Sequence, residues 1–226
     1  LEQSLSDFTA VAILGQFRDV NATASVERVL RKLASGKAKM ILSKREPRLP
    51  SPTFVKAYLD AFRPKPAPSI GDDAPQGDQT LKRAFEALEA QDYAHSLSLF
   101  QEALQQGLST QELEAAALNM HGTYMFVMGE PKRALEDLDR SIELSPENVQ
   151  TWVKKASVHV ELGDKDAAMA DFDRAVALNA DDADIYYHRG QVHFILGEFE
   201  AAMSDYSKST SLDDTFIFSQ VQHAVA

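Results

Sequence analysis

Cysteine is absent from the 226 residues. That excludes a disulfide framework and a thiolate metal site, and it fits a reducing compartment. Long hydrophobic runs are missing as well: nothing approaches the roughly 18–20 apolar residues needed to cross a bilayer. The first residues, Leu1-Glu2-Gln3-Ser4, contain no methionine and do not form a signal peptide. The chain is therefore expected to be a piece of something longer. There is no glycine-rich phosphate loop, nucleophile elbow or His-Glu-x-x-His run. Of the six histidines, His188 and His193 lie five apart rather than the four a helical metal site requires. His121 and His159 read as packing residues, and the six together, His95 and His223 included, as structural or surface residues. The acid pairs Asp181-Asp182 and Asp213-Asp214 read as turn formers and caps. No enzyme, catalytic residue, cofactor or metal is expected.

Hydrophobic residues make up 44% and charged residues 25%, as in an ordinary folded protein. The net charge of −11 is unevenly spread. Residues 1–70 carry 12 Lys and Arg against 6 Asp and Glu, whereas residues 71–226 carry 11 against 28. An acidic second segment disfavours nucleic acid, whose binding rests on cationic contacts to phosphate. The same charge attracts a basic peptide or simply keeps the surface solvated.

A repeat dominates that segment. Gly129, Gly163 and Gly197 are spaced by 34, as are Ala134, Ala168 and Ala202. Gly122, Ala156 and Gly190 keep the step, and so do Leu138, Phe172 and Tyr206. Small residues at these offsets let two helices approach closely, and the glycine lets the chain leave the first of them through a positive φ. Pro146 stops a second helix. This pattern is that of the tetratricopeptide repeat (TPR), a helix–turn–helix per 34 residues. The fold is thus expected to be all-α, a TPR solenoid preceded by linker helices and free of sheet. Repeats are placed at about 77–114, 115–148, 149–182 and 183–216, with a truncated helix at 217–226. The first unit is 38 residues long, so an extra helical turn is expected in it.

Upstream, 1–45 reads as a helix pair left from the end of an earlier repeat clamp, with helices at 3–15 and, basic in character, at 24–45. A proline-rich connector follows at 46–76. Within it, Ser51-Pro52 is a good helix start. Residues 52–62 then place Phe54, Val55, Tyr58, Leu59 and Phe62 on one face, an amphipathic helix. Residues 63–79 read as linker.

In TPR arrays the first helices line a concave groove, mainly through the second, fifth, ninth, twelfth and thirteenth repeat positions. Carried over here, that resemblance gives a peptide-binding groove of Phe85, Leu88, Asn119, Thr123, Phe126, Val127, Val153, Val160, Glu161, Asp184, Tyr187, Gln191, Phe194 and Ile195. Further positions of the pattern fall on Asp78, Leu81, Glu89, Ala116, Gln150 and Ser157. None of these residues is basic. An exposed apolar groove marks a binding surface. The acids would repel the acidic chaperone tails that some TPR domains hold in a Lys/Arg/Asn clamp, for which Asn119 alone has the chemistry.

More specific strings follow. Tyr186-Tyr187-His188-Arg189-Gly190-Gln191 with Phe194-Ile195-Leu196, Leu49-Pro50-Ser51-Pro52-Thr53-Phe54 with Tyr58-Leu59 and Phe62-Arg63-Pro64, and His121-Gly122-Thr123 resemble the large TPR import receptors of the mitochondrial outer membrane, subunits of the TOM complex. The resemblance implies a parent with an N-terminal membrane anchor and a cytosolic helical array. Its early repeats would clamp the C-termini of cytosolic chaperones. Its later repeats would bind mitochondrial precursor proteins through their targeting or internal hydrophobic segments, beside other TOM subunits. This chain would span the connector and the first repeats of the precursor-binding half, most of the clamp being missing. A cytosolic TPR co-chaperone adaptor or scaffold is the alternative.

Overall fold

The computed structural model describes residues 50–62 and 66–213. The helices read at 3–15 and 24–45 and the one at 217–226 lie outside them. The described residues form nine helices and no strand. Helix α1 is Pro52–Asp60. Four pairs follow: α2 Gln76–Glu89 with α3 Tyr93–Gln106, α4 Gln111–Val127 with α5 Pro131–Leu144, α6 Val149–Leu162 with α7 Lys165–Leu178, and α8 Ala183–Ile195 with α9 Phe199–Leu212. Each helix packs chiefly on its pair partner and each pair on the next. The chain is a TPR solenoid. Helix α2 begins inside the stretch read as linker.

Local chemistry sets the ends of these helices. Asp92, Thr110 and Asp164 each accept a backbone N–H three residues on, at the starts of α3, α4 and α7. The first helices of the last three pairs end at Gly129, Gly163 and Gly197, with φ of +79°, +80° and +77°. Past each glycine the next amide returns to a carbonyl five residues back, as Asp164 N–H does to His159 O at 2.9 Å, which satisfies carbonyls that the helix leaves open. In the first pair that place is held by Gln91, at φ +60°. A side chain in this left-handed region costs about 1 kcal/mol. Gln91→Gly is therefore expected to stabilise the array by up to about 1 kcal/mol, less the added freedom of the unfolded chain. An unchanged or lower melting temperature would contradict this.

The small residues sit where helices of a pair cross. A Cβ on Gly122 would lie 3.0 Å from Asp137 Cβ and 3.2 Å from the Ala134 carbonyl oxygen, and one on Gly190 would lie 2.9 Å from the Tyr206 ring. Ala134, Ala168 and Ala202 are buried opposite. Ser141 and Ser209, at matching repeat positions, donate to the carbonyls of Ala115 and Ala183, each at 2.8 Å, pinning the end of a second helix to the start of the first. The four residues beyond the 34-residue step form the first turn of α4, which has 17 residues where α2 and α3 have 14 each.

A charged ladder runs beside these apolar columns. His121, Lys155 and Arg189 keep the 34-residue step, as do Asp137, Asp171 and Asp205. Within each pair the two meet: His121 Nδ1–H donates to Asp137 at 2.7 Å, Lys155 stands 3.6 Å from Asp171, and Arg189 holds Asp205 through two bonds of 2.8 and 2.7 Å. Lys155 and Arg189 also reach back to Asp139 and Asp173 of the preceding pair, at 2.9 and 3.7 Å. His159 Nδ1–H donates to Asp171 at 2.7 Å.

Candidate peptide-binding face

The first helices of the pairs share one face, and α1 lies on it. A nine-residue helix is marginal alone in water, so α1 holds its shape through what it packs against. Ser51 caps its start, accepting from Phe54 N–H at 3.4 Å, and Pro52 opens it. Val55 is fully buried in a cluster with Leu81, Phe100, Tyr124 and Leu138. One turn on, the Tyr58 ring lies 5.3 Å from that of Phe126 in α4. Phe62, just beyond the helix, shares a second cluster with Val153 of α6 and Ile185 of α8. Its ring stacks on His188 of α8 at 4.6 Å, and Lys154 Nζ of α6 sits 5.4 Å from its centroid. His188 Nε2–H donates to the Ala61 carbonyl at 3.0 Å, joining residues 127 apart in sequence. The amphipathic stripe of 52–62 is thus the side of α1 that faces the array.

The residues expected to line an open groove divide into three groups. Phe126, Val127, Val153 and Val160 form or pack on the cluster that receives Tyr58 and Phe62. Phe85 and Leu88 pack on the cluster that receives Val55. Phe85 also borders a cleft, with Glu86 and Glu89, under residues 67–71. A second group makes polar contacts within the array. Asn119 donates to Thr151 at 2.8 Å and accepts from Lys154 at 2.7 Å, Thr123 donates to the Asn119 carbonyl, and Gln191 donates to the Tyr187 hydroxyl. Asp78, buried, accepts two bonds from Ser109, and Leu81 is wholly internal. The third group is the exposed end of α8, where Phe194 and Ile195 are 41% and 53% accessible and the Phe194 ring meets Phe199 at 5.5 Å.

Two features escaped the sequence reading. The face does carry a cation: Lys154, nearly buried, lies one position beyond the pattern used to choose groove residues. Its spacing from Asn119, one more than the repeat step, was the available signal. The second is that α1 already covers the centre of the face.

The acids here are unequal. Asp184 is buried in the first turn of α8, and neither carboxylate oxygen accepts a hydrogen bond; His188 Nε2, engaged with Ala61, stands 3.5 Å away. Glu161 at the end of α6 keeps an open side, yet partial desolvation raises its carboxyl above the usual range. The Glu161 charge adds to burial in pushing the Tyr58 phenol upward. A carboxylate whose pKa is raised on folding penalises the fold once ionised and costs nothing when protonated in both states. Glu161→Gln is therefore expected to raise the melting temperature slightly at pH 7, with the gain vanishing below about pH 4, under the ordinary carboxylate pKa. Equal gains at both pH values would contradict that origin.

Among the described residues no helix is long and apolar enough to cross a membrane, and no cluster of potential metal ligands forms.

Residues 156–197 match the family described as TPR repeat, and residues 183–216 that described as tetratricopeptide repeat. Mitochondrial import receptor subunit TOM70 of Homo sapiens is 27% identical over 176 residues, covering 71% of this chain and 29% of the relative. That of Rattus norvegicus is 27% identical over 161 residues, covering 66% and 26%. The chain thus spans less than a third of these curated relatives. The crystal structure of yeast Tom70 aligns with 94% of this chain and 45% of its own, at 28% identity and a TM-score of 0.63. The crystal structure of MamA, 14% identical, covers 80% of this chain and 94% of its own at a TM-score of 0.53, a likeness of fold alone. In sequence and in backbone alike, the chain is a tetratricopeptide-repeat solenoid similar to the TOM70 import receptor subunits.

Proposed function

We propose that this chain is the part of a mitochondrial import receptor that binds precursor polypeptides on the face made by α2, α4, α6 and α8. The observation that carries the proposal is that this face already seats a short amphipathic helix, α1, through Val55, Tyr58 and Phe62. A helix laid in an apolar groove is a general mode of peptide recognition, read through side chains about one turn apart. Mitochondrial targeting segments have this character, apolar on one side and basic on the other. Phe126, Val127, Val160 and the exposed Phe194 and Ile195 would meet the apolar side, with Glu161, which keeps an open side, placed to attract the basic one. Apolar burial would supply most of the affinity, while rim charges act more on association rate. By this reading the parent protein works at the cytosolic face of the outer membrane, beside other TOM subunits and the chaperones that deliver precursors.

Two peptides test the proposal: a basic amphipathic targeting helix and an acidic chaperone C-terminal tail, each titrated calorimetrically. Binding of the first, weakened as salt rises, with none of the second is the expected result. The reverse preference would favour the co-chaperone adaptor, for which Lys154 and Asn119 supply the beginnings of a carboxylate site.

A further inference from the structure

Resting on that reading of the face, we propose that α1 is a tethered ligand of the groove, which an incoming helix must displace in order to bind. Three observations carry this. First, α1 is attached to the array by side chains rather than by shared backbone hydrogen bonds: one apolar residue per turn, Val55, Tyr58 and Phe62, enters the face, and Ala61 gives one carbonyl to His188. This is how a separate peptide helix binds. Second, the contacts of α1 run across successive repeats, from the Leu81 cluster past Phe126 to Lys154 and His188. It therefore covers the repeats' common surface instead of completing one repeat. Third, α1 lies in a stretch punctuated by Pro50, Pro52, Pro64, Pro66, Pro68 and Pro75, which no continuous helix joins to α2.

The ligand class follows from the fit. The face takes a helix of about two turns with an aliphatic residue, an aromatic three places on and a second aromatic four further, just past the helix end, as in Val55, Tyr58 and Phe62. The second aromatic stacks on His188 beside the Lys154 ammonium. A tether keeps such a helix at a high effective concentration. The apparent affinity for a free ligand is then lowered by the fraction of molecules in which α1 is out.

The absence of native cysteine allows a clean probe. Thr53 is exposed on α1, so Thr53→Cys in the full chain can carry an environment-sensitive dye at one position only. The ligand is a synthetic peptide copying residues 51–62. Addition of the peptide is expected to change the dye signal saturably. In a second chain, Phe62→Ala is expected to tighten peptide binding at least tenfold, because the competing helix is weakened. Hydrogen exchange on the unlabelled chain gives an independent measure: α1 amides are expected to exchange at least tenfold faster than those of α6, and faster still with peptide present. If α1 exchanges as slowly as α6 and the peptide changes neither dye nor exchange, α1 is a fixed wall and the proposal is overturned. Equal or weaker peptide binding by Phe62→Ala overturns it too. The targeting peptide tests the precursor reading separately: with α1 fixed, it can bind only at the exposed Phe194 and Ile195 end of the face. Should the targeting peptide fail while the 51–62 peptide displaces α1, the face takes helices of another source.

Discussion

Arg189→Met is expected to destabilise the array by about 2–4 kcal/mol, because it strands a buried carboxylate. Arg189 joins α8 to α9 through its two bonds to Asp205, and Asp205 is only 6% exposed. The hydrogen bonds that Arg189 donates to the Asp205 carboxylate hold the guanidinium in its charged form, overcoming its partial desolvation. With the arginine gone, the side-chain nitrogen left near Asp205 among the described residues is His193 Nε2, at 3.7 Å, too distant for a good hydrogen bond. Methionine keeps much of the apolar stem, so the loss reports the charge and its bonds rather than packing. Removing both partners, as Arg189→Met with Asp205→Leu, is expected to recover most of the stability, since no orphaned charge remains. Denaturant melts of the three variants check this. A double variant as unstable as Arg189→Met alone would show that the pair acts through something other than its charges.

Ala168→Leu is expected to cost about 1–3 kcal/mol by overpacking. Ala168 has no exposed surface and shares a cluster with Ala156, Phe172 and Val153, at the crossing of α6 and α7. Three more carbons there must push the helices apart or force neighbours off their rotamers. The exposed neighbour Ala170 supplies the control, and Ala170→Leu should lie within about 0.5 kcal/mol of the parent chain. Equal melts for the two variants would mean that the alanine column is not where the helices meet.

The repeat was legible in the sequence because its cause is local and periodic. Gly163 ends a helix and Ala168 starts the next contact, and each recurs 34 residues away. The charged ladder is as periodic, yet it went unread, since His121, Lys155 and Arg189 differ in type while sharing a role. The extra turn was expected within 77–114, and residues 111–114 form it as the first turn of α4; spacing counts residues but does not say which helix absorbs them. For the face, the sequence identified apolar positions such as Phe126 and Val153 and separately identified the stripe on 52–62. What it could not show is that these surfaces meet. The contact of Ala61 with His188 spans 127 residues, and no local pattern encodes a pairing so distant. Lys154 was missed because a rule of repeat positions skips whatever stands beside them.

Amphipathic helices are expected to bind where the first helices of the repeats share a face. Methyl-selective NMR during titration with a basic targeting peptide tests it most directly. Shifts are expected at Val127, Val153, Val160 and Ile195, which lie on the first helices α4, α6 and α8. Ile142, Leu178 and Met203, on the second helices α5, α7 and α9, should stay in place. Shifts confined to the second set, or no shifts at concentrations where calorimetry shows saturation, would contradict the account.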